Sequence, residues 1–192
     1  RGGMSSDVAS AFSDMGLGMT SSNVENEAEV FKSPNVILEV VKRLNIDVNY
    51  TTDGRFHRTT LYGKTNPVLV TFKDANEDTG CSFTLDLGKN GEVSISDFVM
   101  GDEEQPDVIK GKINQPIKTI AGVVVISPNP AYVAPEKPAT RIYVTRSSDY
   151  SAVSAVSGKL SVWLNSKNNT IIDIAYSDVS VERAKDIINT LI

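Results

Sequence analysis

The strongest periodic pattern in the chain lies in residues 22–46. After Ser33 and Pro34, apolar side chains recur at the three- and four-residue spacing of one helix face: Val36, Ile37, Val40, Val41 and Leu44. Ser33 suits an N-cap, and Pro34 fits the first helical position because its missing N–H has no partner there in any case. Asn45 suits the left-handed residue that ends many helices. The pattern predicts two consecutive helices joined at Ser33-Pro34, the first starting with a capping-box spacing of Ser22 and Glu25.

The period changes from helical to alternating at residue 48. Two turn signals, Asp53-Gly54 and Lys89-Asn90-Gly91, interrupt the alternation and predict hairpins. The acidic residues 101–107 are interpreted as a solvated loop, and residues 127–138, with four prolines, as an extended connector. The predicted strands cover residues 48–51, 55–62, 68–72, 82–87, 92–98, 108–113 and 123–126.

The last third of the chain mixes both periods. Helices are predicted at 149–156 and 181–192, with strands at 141–145, 160–164 and 170–176; a further short helix is predicted at 7–15. This order indicates an α+β fold, a mostly antiparallel sheet with helices packed on one face, plus a β-rich subregion over about residues 55–146. At 192 residues and 40% apolar content, residues 1–192 suit a single domain.

Composition and candidate chemistry exclude several classes of function. The net charge of −5 does not suit nucleic-acid binding. A membrane helix needs a run of about 18 apolar residues or more, and the sequence contains none. The single histidine, His57, and the single cysteine, Cys81, are remote from each other, and no phosphate-binding loop is present. The acidic run Asp102-Glu103-Glu104 lacks the spacing of a calcium loop. No catalytic, cofactor or metal site is predicted, and an enzyme is the least favoured class.

Three segments carry a resemblance to a known family. The helical pair supplies Asn23, Asn26, Glu27, Phe31, Lys32 and Ser33, followed by Val40, Val41, Lys42 and Leu44. The second segment supplies Leu61-Tyr62-Gly63 and Asn66-Pro67-Val68, and the third supplies Asp178, Arg183-Ala184 and Ile188-Asn189-Thr190-Leu191. Together these residues resemble the chain-length determinant family, the Wzz-type polysaccharide co-polymerases, which includes extracytoplasmic parts of bacterial tyrosine kinases for exopolysaccharide synthesis.

The resemblance implies a non-catalytic domain on the periplasmic face of the bacterial inner membrane, between two membrane helices outside these residues. Such domains form rings, and their partners are copies of themselves, the polysaccharide polymerase or export machinery, and the polysaccharide. They regulate the length or export of O-antigen, capsular or exopolysaccharide chains. The ends at Arg1 and Ile192 are interpreted as cut, and a strand upstream of Arg1 is expected, whose absence would leave a sheet edge open. The β-rich region is longer than in the simplest family members, and the family's long helices after the segment matching 181–192 are missing.

The charged faces of the helical pair are the predicted subunit contact. Their apolar face is committed to the core, which leaves acidic side chains early in the pair and basic ones late. A ring needs two different complementary surfaces on each subunit, and this separation of charge suits such a head-to-tail contact. The predicted interface residues are Glu25, Glu27, Glu29, Lys32, Glu39, Lys42 and Arg43.

A stand-alone carbohydrate-binding or surface-adhesion domain is the alternative. Aromatic side chains supply the stacking faces that sugars favour. Six residues are candidates for this role, although their strand positions also suit a core: Tyr50, Phe56, Tyr62, Tyr132, Tyr143 and Trp163.

Overall fold

The computed structural model describes residues 24–165 and 171–192. The predicted helix at 7–15, the capping residue Ser22 and most of the loop between the last two strands lie outside these ranges. The described helices are α1 (24–31), α2 (Pro34–Leu44), α3 (Asp149–Ser157) and α4 (Val181–Leu191). None of these helices has the length and hydropathy to cross a bilayer.

The joint between α1 and α2 has the predicted capping chemistry. The Ser33 hydroxyl accepts a hydrogen bond of 3.4 Å from the Val36 N–H, and Pro34 occupies the first turn of α2. Asn45 adopts the left-handed conformation (φ 54°, ψ 38°), and the Ile46 N–H donates back to the Val41 carbonyl at 3.1 Å. These bonds satisfy backbone groups that a helix end leaves unpaired. The predictions for Ser33, Pro34 and Asn45 are confirmed.

Twelve strands are described, and every pairing between them is antiparallel. The predicted α+β class with mostly antiparallel pairing is therefore confirmed. The strands are β1 (Val48–Asp53), β2 (Arg58–Leu61), β3 (Val68–Lys73), β4 (Cys81–Leu87), β5 (Glu92–Met100), β6 (Glu103–Gln105), β7 (Ile109–Lys112), β8 (Pro116–Thr119), β9 (Gly122–Pro128), β10 (Arg141–Arg146), β11 (Leu160–Leu164) and β12 (Ile172–Tyr176).

The strands form three sheets, where the sequence predicted one sheet with helices on one face. The large sheet has the order β2-β1-β10-β4-β5-β6, and β7 pairs with the other half of the β5 edge. A second sheet, β3-β9-β8, packs against it, and their inner faces share one apolar core. These two sheets form a sandwich, and all its strands except β1 lie in the predicted β-rich subregion.

The helices pack with the third sheet, the two-stranded ribbon β11-β12. Helices α2, α3 and α4 surround a second apolar core, with Ile37, Val41 and Ile187 almost fully buried in it. Within the described ranges, β11 and β12 pair only with each other, so each leaves one edge without a strand partner. We call α1–α4 with β11 and β12 the helical layer. It lies beside the sandwich because short connections join the two parts: α2 leads into β1 of the large sheet, and β10 of that sheet leads into α3.

The predicted β4–β5 hairpin is confirmed. Leu87 pairs with Val93 across a turn in which Asn90 (φ 58°) and Gly91 (φ 74°) are both left-handed, a conformation that these two residue types adopt at low cost. A bulge interrupts the pairing between Ser82 and Thr84, where Asp97 of β5 has φ 52°. Beyond the bulge Phe98 returns to the core, where it stacks on Phe83 with ring centroids 5.0 Å apart.

Three parts of the sandwich differ from the sequence prediction. The acidic loop contains β6, because Glu103–Gln105 pairs with the end of β5. Strand β8 was not predicted, and it begins at Pro116 on a sheet edge, where a residue without an N–H is tolerated. The β1–β2 connection covers residues 54–57 rather than Asp53-Gly54 alone, so His57 lies in a loop and not in a strand.

Candidate subunit interface

The seven predicted interface residues are all exposed on α1, α2 and the joint between them. We call this set the charged helix surface. It comprises Glu25, Glu27, Glu29, Lys32, Glu39, Lys42 and Arg43. The opposite side of α2 is buried in the helical layer through Ile37, Val40 and Val41, as the periodicity predicted. The structure therefore leaves this surface exposed on the chain.

Each basic residue of the charged helix surface already has a carboxylate partner in the same chain. Lys32 pairs with Glu29 at 2.8 Å, and Arg43 pairs with Glu39 at 2.9 Å, both within one turn of helix. Lys42 reaches Asp149 at the start of α3 at 2.6 Å. In the described ranges, no ion pair involves Glu25 or Glu27. The carboxylates left without a cation are therefore at the α1 end.

The Lys42–Asp149 pair lies near a buried ion pair between the helical layer and the sandwich. Asp47, just after α2, and Arg146, at the end of β10, are each 6% exposed. Arg146 donates to the carbonyls of Asn76 (2.8 Å) and Thr79 (3.2 Å), and its Nε lies 3.7 Å from Asp47 Oδ2. Burial raises the pKa of Asp47, although the charges of Lys42 and Arg146 oppose that shift. This pair fixes the end of α2 against β10.

A second ion pair anchors α4. Arg183 donates to both oxygens of Asp178, at 2.7 and 2.8 Å, and to the side-chain oxygen of Asn49 in β1 at 3.0 Å. Burial acts to raise the pKa of Asp178, but the bonds from Arg183 and from the Ser180 N–H outweigh it, so this pKa lies below its usual value. Bidentate arginine–carboxylate pairs are among the stronger hydrogen-bonded contacts in proteins. The contact joins α4 to the sandwich.

The segment after β2 packs directly on α4. The Tyr62 hydroxyl donates to Asp186 at 2.9 Å, and the Arg183 guanidinium lies 5.8 Å from the centre of the Tyr62 ring. Gly63 has a φ of +50°, and a Cβ at this position would collide with the Glu182 carboxylate. The left-handed backbone favours a glycine here, whereas the Glu182 carboxylate, at the end of a flexible side chain, can move aside. Burial and the bond to Asp186 raise the pKa of Tyr62, so its hydroxyl stays a donor at neutral pH.

The six aromatic candidates occupy different environments. Tyr50 is buried, and its oxygen accepts the Val70 N–H at 2.8 Å, with burial raising its pKa to about 12. Tyr62 packs in the helical layer, and Arg58 covers the ring of Tyr143 at 3.6 Å. Tyr132 is half-buried in the proline-rich connector. Phe56 (87% exposed) and Trp163 (48% exposed) remain open, but Phe56 lies in the β1–β2 loop and Trp163 in β11, and no ring contact joins them in the described ranges.

The candidate reactive residues lie apart. His57 is exposed in the β1–β2 loop, whereas Cys81 is buried in the sandwich core, where burial raises the pKa of its thiol to about 11. Among residues 24–165 and 171–192, no group of three or more His, Cys, Asp or Glu side chains has the arrangement of a metal site.

Asp47, Arg146, Tyr62 and Asp186 were not predicted as interacting residues. The sequence held one sign of these contacts: Asp47 is a charged residue between the apolar Ile46 and Val48, where the helical period changes to the alternating one.

No family model matches this chain, and no curated protein matches it.

Proposed function

We propose that this chain is a non-catalytic extracytoplasmic assembly domain of a polysaccharide co-polymerase, acting as one subunit of a ring on the periplasmic face of a bacterial inner membrane. In that role it regulates the length or export of a capsular, exopolysaccharide or O-antigen polymer. Its partners are copies of itself and the polymerase or export machinery, whose membrane-bound parts lie outside these residues.

The observation that carries the proposal is the convergence of the three segments that resemble the family. Tyr62 and Gly63, from the second segment, contact Asp186 and Glu182 of α4, in the third. Helix α4 also packs against α2, in the first. The three segments are distant in the sequence, so a chance set of local matches would not be expected to meet in one packed layer.

The sandwich fits the proposal as an addition to this layer. It has its own core, formed by the inner faces of the two larger sheets. The buried pair of Asp47 and Arg146 and the contact of Arg183 with Asn49 attach it to the helical layer. A rigid attachment suits a part that projects from an assembled ring and meets either the polymer or a partner protein.

The charged helix surface supports a head-to-tail contact of modest strength. Exposed ion pairs contribute about 0–1 kcal/mol each, so the contact alone would not hold a ring together without the membrane-bound parts. The available carboxylates are Glu25 and Glu27, and the neighbouring subunit would have to bring a cation that its own chain does not already pair. This differs from the sequence-based hypothesis, in which Lys42 and Arg43 supplied the positive charge.

The experiment is a gene deletion in the source bacterium, with the cell's polysaccharide separated by size. We expect the deletion to shorten the polymer, broaden its length distribution or stop its export, and the full gene product to restore it. An unchanged amount and length of every surface polysaccharide in the deletion strain would contradict the proposal.

The second candidate is a carbohydrate-binding domain. One observation favours it, a cleft on the outer face of the large sheet that is lined in part by hydroxyl, amide and charged side chains.

A further inference from the structure

The outer face of the large sheet carries polar rows that cross several strands. One row runs Arg141, Asp86, Ser94 and Lys110, as the registers of β10, β4, β5 and β7 give it. The next row runs Thr60, Thr51, Tyr143, Thr84 and Ser96. Because side chains alternate across a strand, both rows lie opposite the buried core. With strands about 4.8 Å apart, a row of five spans roughly 19 Å, the scale of a short oligomer.

A cleft of about 560 Å³ opens on this face where β4, β5 and β7 meet. Asp86, Ser94, Lys110, Lys112 and Gln115 are among its lining residues. Its volume lies in the range of small-molecule sites. The cleft thus combines hydroxyl and amide groups, which exchange hydrogen bonds with sugar hydroxyls, and two ammonium groups.

The charges in the cleft leave these ammonium groups available. Asp86 is held by Arg141 through two bonds, of 2.7 and 3.0 Å, so its charge is already compensated. In the described ranges, neither Lys110 nor Lys112 forms an ion pair. Glu92 stands opposite Lys112 in the register, without an ion pair between them. Asp86, Glu92, Lys110 and Lys112 all line the cleft. With Asp86 offset by Arg141, the two lysines exceed Glu92 by one positive charge, although the whole chain has a net charge of −5.

We propose that this cleft binds an acidic oligosaccharide segment, with Lys110 and Lys112 contacting the carboxylate of a sugar unit and Ser94 and Gln115 its hydroxyls. The proposal rests on the proposed function, for which it names the class of polymer and the contact surface. Charge-assisted hydrogen bonds from the lysines supply the selectivity for an acidic unit over a neutral one.

A glycan fits this face better than an acidic peptide does. The outward side chains of β4, β5 and β10 next to the cleft are hydroxyl-bearing or charged, with no aliphatic side chain among Thr84, Asp86, Ser94, Ser96 and Arg141. Peptides are commonly held by pockets for apolar anchors or by strand addition at a sheet edge. Leu87 and Val93 also line this cleft, but both pack into the sandwich core. The side chains on the outward face of its strands are therefore hydroxyl-bearing or charged.

The test is calorimetric titration of the purified chain with trigalacturonate, maltotriose and a triglutamate peptide. We expect trigalacturonate to bind, the other two to bind at least roughly tenfold more weakly, and added salt to reduce the affinity. In the variant Lys110→Ser with Lys112→Ser, we expect roughly a tenfold loss for trigalacturonate. Backbone amide shifts of Ser94 and Gln115 in the unaltered chain give a second readout that needs no variant.

The matched control is Lys73→Ser with Lys118→Ser. These lysines are also exposed on strands and also without ion pairs in the described ranges, but they lie on the second sheet. The control changes the net charge equally and should leave binding within about twofold. Equal losses in both variants, equal binding of the peptide, or no binding of trigalacturonate would overturn the proposal. The gene deletion is independent of these titrations: a polymer defect without binding refutes only the cleft, and binding without a polymer defect refutes only the proposed function.

Discussion

The Tyr62 hydroxyl donates a hydrogen bond of 2.9 Å to the Asp186 carboxylate, joining residues 124 positions apart. This bond connects the end of the β2 segment to the last described helix. Tyr62 also packs in the core of the helical layer, so the contact combines apolar burial with a bond to a charged group. It is the most direct link between two of the segments on which the family resemblance depends.

Replacing Tyr62 with phenylalanine removes this bond and keeps the ring. We expect Tyr62→Phe to lower the free energy of unfolding by about 1 kcal/mol, the usual net value of one hydrogen bond. Urea unfolding measures the change. Tyr143→Phe is the control, because its hydroxyl bonds to an exposed carboxylate, Asp53, at 3.1 Å, and we expect a smaller loss. A loss at Tyr62 no larger than at Tyr143 would contradict the account.

Because of the Asp178–Arg183 pair, we expect the free energy of unfolding to depend on pH in the acidic range. The pKa of Asp178 is lower in the folded chain than its ordinary value of 3.8. A carboxyl with a lowered folded pKa stabilises the folded state above its unfolded pKa, and this contribution is lost as the pH falls through the folded pKa. We therefore expect the free energy of unfolding to fall as the pH drops below about 4.

The variant Asp178→Asn tests the assignment. It should be less stable than the unaltered chain at pH 7, and the difference between the two should shrink in acid, as urea unfolding at several pH values would measure. A constant difference from pH 7 to pH 2 would assign the stabilisation to something other than the charge of Asp178.

The two cores are expected to unfold together. The buried pair of Asp47 and Arg146 links them, and the Ser147 N–H donates to the Asp47 carbonyl at 2.9 Å beside it. Trp163, the one tryptophan of the sequence, lies in β11, so its fluorescence reports on the helical layer. Far-ultraviolet circular dichroism reports on the whole chain. We predict coincident urea midpoints for the two signals, and two separated midpoints would show that the layers are independent domains.

Local features of the fold could be predicted from the sequence because short segments determine them. Ser33, Pro34 and Asn45 fix the ends of α2 through bonds between residues at most five positions apart. Asn90 and Gly91 fix the β4–β5 turn through their tolerance of left-handed backbone. These signals need no information about the rest of the chain.

The assembly of the sheets could not be predicted in the same way. A period of two identifies a strand but not its partner, so three sheets were interpreted as one. Strand β6 is acidic and forms only because the end of β5, near Phe98, offers an unpaired edge. The contact of Tyr62 with Asp186 depends on the packing of β2 against α4, which no local pattern contains.

Glu25 and Glu27 on α1 form no ion pair in the described ranges, and they lead to a prediction about subunit association. We expect Glu25→Lys with Glu27→Lys, in the full-length protein, to weaken subunit association roughly two- to thirtyfold, from about 0.2–1 kcal/mol for each of two exposed contacts. Chemical crosslinking in membranes measures it. The control Glu103→Lys with Glu104→Lys changes the charge equally on β6, where both residues are exposed, and should not alter association. Equal effects of both pairs would remove the charged helix surface from the interface.

We propose that this chain is one subunit of a ring. The most direct measurement is the mass of the full-length protein extracted from membranes in mild detergent, determined for single particles. We expect a closed particle of several identical subunits with one uniform copy number. A particle that contains one copy at every protein concentration, in detergent and in lipid nanodiscs alike, would contradict it.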